Sequence, residues 1–215
     1  MNDLSNYRKS YERSVLLESS VDENPMMQFR KWFCEVEDFG GVDEVNAMTV
    51  SSIGLDGFPK ARVVLLKSYD ENGFVFYTNY NSEKGKAILA NPHVCLSFFW
   101  ASMERQVIIK GIAHKAPAVQ SDNYFDSRPV GSRLGAIVSN QSEVIASHEE
   151  LEQKLALLEQ EVEGKEIKRP ENWGGFVIEP VSIEFWQGRP NRLHDRIRYT
   201  LTEDQLDWNI ERLAP

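Results

Sequence analysis

Cysteine is scarce in this chain: Cys34 and Cys95 are the only two among 215 residues, with no C-x-x-C spacing. A disulfide framework or a thiolate metal site needs more, so both are expected to be reduced, buried thiols. Long apolar runs are also missing. No stretch approaches the roughly 20 residues that span a bilayer. Residues 1–18 are polar and mixed in charge, without the pattern of a signal or transit peptide. A cytoplasmic protein with no membrane partner is expected. Positive charge is in deficit, 24 Lys and Arg against 33 Asp and Glu, for a formal net charge of −9. Nucleic acid, whose backbone asks for a basic face, is thereby excluded as a partner. Motifs are missing too. There is no G-x-G-x-x-G after a strand pattern, no G-x-x-x-x-G-K-[ST] and no G-x-S-x-G. His93, His114, His148 and His194 show no paired metal spacing. Dinucleotide-fold, P-loop, serine-hydrolase and metal-dependent readings lose their support, and no metal is expected.

What is present is an ordinary globular composition, 41% apolar and 27% charged, long enough for one well-cored domain. Residues 1–20 have few apolar anchors and read as a mobile arm; 21–215 read as a single domain without repeat or linker. Asn24-Pro25 caps a helix whose apolar face is Met26, Phe29, Trp32, Phe33 and Val36, stopped at Gly40-Gly41. From 47 the period changes to two. Strands at 47–53, 61–69 and 74–79, joined at Asp56-Gly57 and Asn72-Gly73, read as a three-strand meander. A short helix at 82–90 and strands at 93–100 and 106–116 follow. Residues 117–139 read as helical, interrupted at Pro129 and Gly131. Ser147 and Glu150 form a capping box before the stripe Leu151, Leu155, Leu158, Val162. Strands at 175–187, 196–202 and 207–212 finish the chain. At least seven strands with interspersed helices predict a mainly β, largely antiparallel α+β fold, closed or nearly closed as a barrel.

The basic residues are unevenly spread. Arg189, Arg192, Arg196 and Arg198, with His194 among them, crowd into ten residues, which suits a small anion better than a polyanion. On an extended chain, alternation would aim Arg192, His194 and Arg196 in one direction. Arg62 and Lys67 flank an apolar strand; they either snorkel to solvent or grip phosphates. Period two puts them on opposite faces, so either a bulge intervenes or they serve two ligands. Tyr124, Arg128 and Ser132 recur every four residues, which on a continuous helix gives either surface decoration or a phosphate socket.

The segment Glu184-Phe185-Trp186-x5-Arg192-x-His194-x-Arg196 resembles, position for position, the signature E-[FW]-W-x5-R-x-H-x-R of the pyridoxamine 5′-phosphate oxidase family. Further blocks resemble it in family order: Arg-Val-Val-Leu-Leu-Lys (62–67), Phe-Tyr-Thr-Asn (76–79), Glu-Arg-Gln-Val (104–107), Tyr-Phe-x-Ser-Arg-Pro (124–129), Ser-x-Gln-Ser (139–142), Trp-Gly-Gly-Phe (173–176) and the terminal Arg-Leu-Ala-Pro (212–215). Together they run from about residue 45 to the end, and Arg8-Lys9-Ser10-Tyr11 is similar to the family's substrate-closing segment.

The resemblance implies an FMN-binding split β-barrel working as a homodimer, with the active site at the subunit interface. It implies FMN-dependent oxidation of pyridoxamine and pyridoxine 5′-phosphates to pyridoxal 5′-phosphate, with O2 as acceptor. Arg62 and Lys84 would hold the FMN phosphate. Val63, Val64, Leu65, Leu66 and Lys67 of the strand, with Tyr77, Thr78, Gln106, Gln141, Ser142, Trp186 and Arg196, would frame the rest of the cofactor. Lys67, Tyr124, Arg128 and Ser132 would bind the substrate phosphate. Arg192 and His194 would be the catalytic pair over the pyridine ring, and Arg8 and Tyr11 would close the site. The family commonly has Ser-Arg-Lys where this chain has Ser82-Glu83-Lys84. Glu83 is expected to point to solvent, with somewhat weaker FMN binding as the consequence. Two rivals are a split-barrel flavin reductase or electron carrier, which would ignore vitamin phosphates, and a non-catalytic pyridoxal phosphate carrier, which would lack tightly bound flavin.

Overall fold

A computed structural model describes residues 2–215; Met1, the first residue of the expected arm, lies outside the described residues. Asn24 caps α1 (Pro25–Phe39) by accepting the Met26 N–H at 2.8 Å, and Gly40 at φ 72° ends it. The remaining helices are α2 (Glu83–Ala90), α3 (Ala118–Ser127), α4 (Val130–Val138) and α5 (His148–Glu161). The strands are β1 (Ala47–Ile53), β2 (Pro59–Leu65), β3 (Ser68–Asp70), β4 (Gly73–Asn79), β5 (His93–Trp100), β6 (Arg105–Lys115), β7 (Trp173–Gln187), β8 (Asp195–Leu201) and β9 (Trp208–Arg212). Among the described residues these nine strands form one sheet, in the order β2-β1-β5-β6-β7-β4-β3, with β8 paired to β7 and β9 to β8. No helix among them is long and apolar enough to cross a membrane.

Three expectations need correction. The strand expected at 61–69 breaks at Leu66-Lys67 into β2 and β3, which sit at opposite ends of the strand order instead of side by side in a meander. Leu66 turns into the core, 4% exposed, while Lys67 donates its N–H to the Val75 carbonyl at 2.8 Å. Lys67 therefore falls in the break after β2, and period two along one strand no longer relates it to Arg62. The cysteines are free as expected, yet Cys34 is exposed and Cys95 only partly buried. In 117–139 the interruption expected at Pro129 is present, with α3 giving way at Arg128 (ψ 148°) and helix resuming at Val130, because a residue before proline is pushed out of the helical region; the one expected at Gly131 is not, since Gly131 lies inside α4.

The chain divides into two compact units, one of residues 1–50, 95–111 and 180–215, the other of 51–94 and 112–179. Their boundaries fall inside β1, β5, β6 and β7, so no linker composition marks them. In the first unit, Phe29 packs on Phe98 at 5.2 Å between ring centroids, and Phe185 is held edge-on by Trp32 at 5.2 Å and Tyr199 at 5.6 Å. In the second, β4 pairs with β7 in the register Phe76↔Phe176 and Tyr77↔Gly175. A separate cluster of Phe125, Leu134, Ile167 and Trp173 is covered by Leu155, Leu158 and Val162, which accounts for the stripe on α5.

Phe185 is fully buried between two aromatic rings. Phe185→Ala is expected to lower unfolding free energy by about 3–5 kcal/mol in chemical denaturation. A loss below about 1 kcal/mol would contradict this packing.

Candidate active site

In the second unit a cavity of about 720 Å3 is lined by Val63, Val64, Leu65 and Lys67 from the β2–β3 segment, Tyr77, Thr78 and Asn79 from β4, and Lys84 from α2. Tyr124, Arg128, Ser132, Gln141 and Trp173 complete its polar and aromatic wall. Three of its lining residues are cations, and none of those described is a carboxylate.

Lys84 is held at one wall. Its Nζ donates to Thr78 Oγ1 and Gln141 Oε1, both at 2.9 Å, and Thr78 in turn donates to Gln141 at 3.1 Å. Both partners are neutral, so the charge itself is uncompensated by them. Burial, with the positive charge of Arg62 adding to it, pushes this ammonium down to about 8. Such a group gains from an anion.

Arg128 marks another wall. Its guanidinium lies 4.6 Å from the Trp173 ring centroid, a cation–π arrangement. Its Nη1 is buried with no hydrogen-bond partner among the described residues. Burial also lowers the proton affinity of the guanidinium. The break at Pro129 places Ser132 in the first turn of α4, and Tyr124, Arg128 and Ser132 line the same cavity without sharing one helix. Tyr124 stacks on Tyr77 with 3.9 Å between centroids, and burial followed by the charge of Tyr124 raises the Tyr77 phenol.

Arg62 and Ser142 do not line the cavity; both meet Glu83. Arg62 Nη2 donates to Glu83 Oε2 at 3.1 Å, Lys60 Nζ donates to Glu83 Oε1, and the Glu83 N–H donates to Ser142 Oγ at 3.2 Å. Glu83 is therefore not simply turned to solvent, as expected from sequence. Opposite charges two residues apart on β2 claim it.

The signature segment lies in the first unit. The expected extended alternation is corrected: Pro190–Arg192 forms a 3-10 turn, with Asn191 and Arg192 at φ 56° and 60°. Arg192 is left exposed. Arg196 is not aimed with it but is bonded by Nε and Nη2 to Glu184 at 2.7 and 3.1 Å, which raises its proton affinity further. His194 Nδ1 accepts the Arg189 N–H at 3.1 Å. A backbone N–H can only donate, so the proton of the neutral ring sits on Nε2. The ring packs 4.7 Å from Trp186 and 5.9 Å from Tyr11. Gly188 makes room for Tyr11, since a Cβ there would lie 2.7 Å from its Cγ. Gln106 donates to Ser97 at 3.2 Å. Arg8 bonds the Ser5 carbonyl within the arm.

The arm is anchored by a residue the sequence reading gave no role. Buried Glu104 accepts the N–H groups of Glu12 and Arg13 at 2.9 and 3.1 Å and pairs with Lys9 at 3.1 Å. Trp173, which in the sequence stands only inside the Trp-Gly-Gly-Phe block, lines the cavity beside Arg128. An acid just before a strand and a tryptophan before Gly-Gly are the signals in the sequence.

The family model described as pyridoxamine 5′-phosphate oxidase matches residues 35–161, and the one described as the pyridoxine 5′-phosphate oxidase C-terminal dimerisation region matches 173–215. The chain belongs to the pyridoxamine 5′-phosphate oxidase family. It is 71% identical over 214 residues to the pyridoxine/pyridoxamine 5′-phosphate oxidase of Flavobacterium johnsoniae, covering 100% of both chains. It is 52% identical to the protein so named from a Nostoc species, covering 99% of this chain and 98% of that one. Among solved structures, PhzG from Burkholderia lata, in complex with tetrahydrophenazine-1-carboxylic acid, superposes with a TM-score of 0.85 at 27% identity over 94% of this chain and 98% of that one. A pyridoxamine 5′-phosphate oxidase-related, FMN-binding protein from Nostoc punctiforme shares the fold, with a TM-score of 0.67 at 14% identity over 87% and 97% of the two chains. The split-barrel fold expected from sequence is the fold of this family.

A phosphate held by Lys84 needs its ammonium form. If that phosphate is the one on FMN, then, because burial pushes the Lys84 ammonium down to about 8, FMN affinity measured by fluorescence quenching is expected to fall above that pH, approaching ~tenfold per pH unit. Lys84→Gln should bind more weakly and lose this dependence. A profile in the unaltered protein that stays flat up to the ordinary lysine range would contradict it.

Proposed function

We propose that this chain is an FMN-dependent oxidase that converts pyridoxamine and pyridoxine 5′-phosphates to pyridoxal 5′-phosphate. The observation that carries the reading is the carboxylate-free cavity with Lys67, Lys84 and Arg128 in its walls, set in a chain of net charge −9. Three cations without an internal counter-ion suit phosphate-bearing ligands, and a buried guanidinium N–H without a partner asks for an acceptor. The donor set fits FMN: Lys84 and Arg62 would take its phosphate, and the 63–67 backbone, Tyr77, Thr78, Gln141 and Ser142 would frame it. Gln106, Trp186 and Arg196 would complete the frame. A relative that carries the oxidase name, at 71% identity over 100% of both chains, favours this substrate over the tetrahydrophenazine-1-carboxylic acid bound by PhzG, which is 27% identical.

Lys67, Tyr124, Arg128 and Ser132 would bind the substrate phosphate, and so fix the distance of the ring's reacting carbon from the cofactor. When bound, FMN supplies the acceptor for the hydride leaving C4′ and passes the electrons to O2, giving hydrogen peroxide. Pyridoxine phosphate plus O2 gives pyridoxal phosphate plus hydrogen peroxide; the amine substrate consumes one water and releases ammonia. Arg192 would orient the pyridine ring and balance its charge, and His194, with its Nε2–H, would donate a hydrogen bond to it. Arg8 and Tyr11 of the arm would close over the ligand and exclude water. We further propose a homodimer with the active site at the subunit interface, supported by the match of 173–215 to a dimerisation region.

Anaerobic mixing of the FMN-loaded protein with pyridoxine 5′-phosphate should bleach the flavin band, and air should restore it with aldehyde formed. A flavin that stays oxidised with both vitamin phosphates would leave a flavoprotein with another substrate. In steady state, Arg128→Met should raise KM for pyridoxine 5′-phosphate about 10- to 100-fold with a smaller change in kcat. An unchanged KM would remove Arg128 from the socket.

A further inference from the structure

Glu83 poses an electrostatic problem at the place where the cofactor phosphate is expected. It is the first residue of α2, next to Lys84, and its carboxylate holds Arg62, the other cation assigned to that phosphate. If Arg62 were its only counter-ion, a phosphate drawing on Arg62 would leave a bare carboxylate beside a dianion, and like charges at such range repel. Lys60 alters this balance. It stands two residues before Arg62 on β2, on the same face. Its Nζ bonds the other Glu83 oxygen and also reaches Asp56 Oδ2 at 3.0 Å. Lys60 is the less exposed partner, its side chain 29% accessible against 43% for Glu83. The local group is thus three cations, Lys60, Arg62 and Lys84, against two carboxylates, Asp56 and Glu83. The balance is one positive charge; without Lys60 it is zero. A dianion meets net attraction in the first case only.

We infer that Lys60 is a positioning residue for the cofactor phosphate: it retains Glu83 so that Arg62 can share its guanidinium with the phosphate. The inference rests on the reading that Arg62 and Lys84 take the FMN phosphate. Glu83 then ceases to weaken binding and becomes a tether that keeps both strand cations at the mouth of α2, whose N-terminal dipole also favours the anion. Discrimination between FMN and riboflavin, which lacks the phosphate, depends on this pair.

The test is equilibrium binding of FMN and of riboflavin, followed by flavin fluorescence, in the unaltered protein, Lys60→Met, Glu83→Gln, the double variant and Arg62→Met. Lys60→Met should weaken FMN about three- to tenfold and leave riboflavin unchanged. With Glu83→Gln in place, the same substitution should cost less than about twofold, because the carboxylate that competes with the phosphate for Arg62 is gone. Unchanged FMN affinity in Lys60→Met overturns the inference. So does an equal loss for riboflavin, or an equal loss in the Glu83→Gln background. Arg62→Met separates the two levels. If it weakens FMN while Lys60→Met does not, only the role of Lys60 falls; if it leaves FMN unaffected, the phosphate placement itself falls.

Discussion

A buried positive charge is tolerated only when something negative or strongly polar meets it, and in the cavity of the second unit buried Lys84 and half-buried Arg128 stand with exposed Lys67 and no carboxylate in the described walls. The surrounding local structure serves to hold those cations apart and in place. The strand break at Leu66-Lys67 sends one side chain to the core and the next to the cavity. The Ser82 cap starts α2 so that Lys84 points inward to Thr78 and Gln141. Pro129 ends α3 at Arg128, where Trp173 receives the guanidinium. Neutral acceptors and an aromatic face steady the charges without cancelling them, which leaves their attraction to be satisfied by a ligand.

The first unit follows the opposite strategy. Three arginines of its 189–198 stretch are paired: Arg196 with Glu184, Arg198 with Glu211, and Arg189 with Asp195 at 3.7 Å. Arg192 stands apart on a turn with two successive positive φ values, a conformation costly for non-glycine residues and typical of functional segments. His194 is fixed in one tautomer by a backbone N–H and wedged between Trp186 and Tyr11.

Much of this was legible in the sequence, because the relevant signals are local. The Asn24-Pro25 cap, the glycine turns and the Ser147 cap each state their element within a few residues, and strand and helix spans agree with the structure to within two residues over most of the chain. The cationic set of the cavity was legible as well, through its resemblance to family blocks. What escaped depended on pairing at a distance. Period two could not show that 61–69 breaks, since Leu66 is drawn into the core by residues remote in sequence. Alternation at 192–196 could not reveal a 3-10 turn, nor that Glu184, across the β7–β8 pair, takes Arg196 for itself. Glu83 looked solvent-directed because Lys60 and Arg62 lie more than twenty residues away.

Two distinct phosphate positions within this chain's cationic residues are the central claim, and a crystal structure with FMN and pyridoxal 5′-phosphate bound tests it most directly. One phosphorus is expected against Arg62 and Lys84, and the other against Arg128, Ser132 and Lys67. A structure in which both phosphates share one of these positions, or in which either lies away from these side chains, would contradict it.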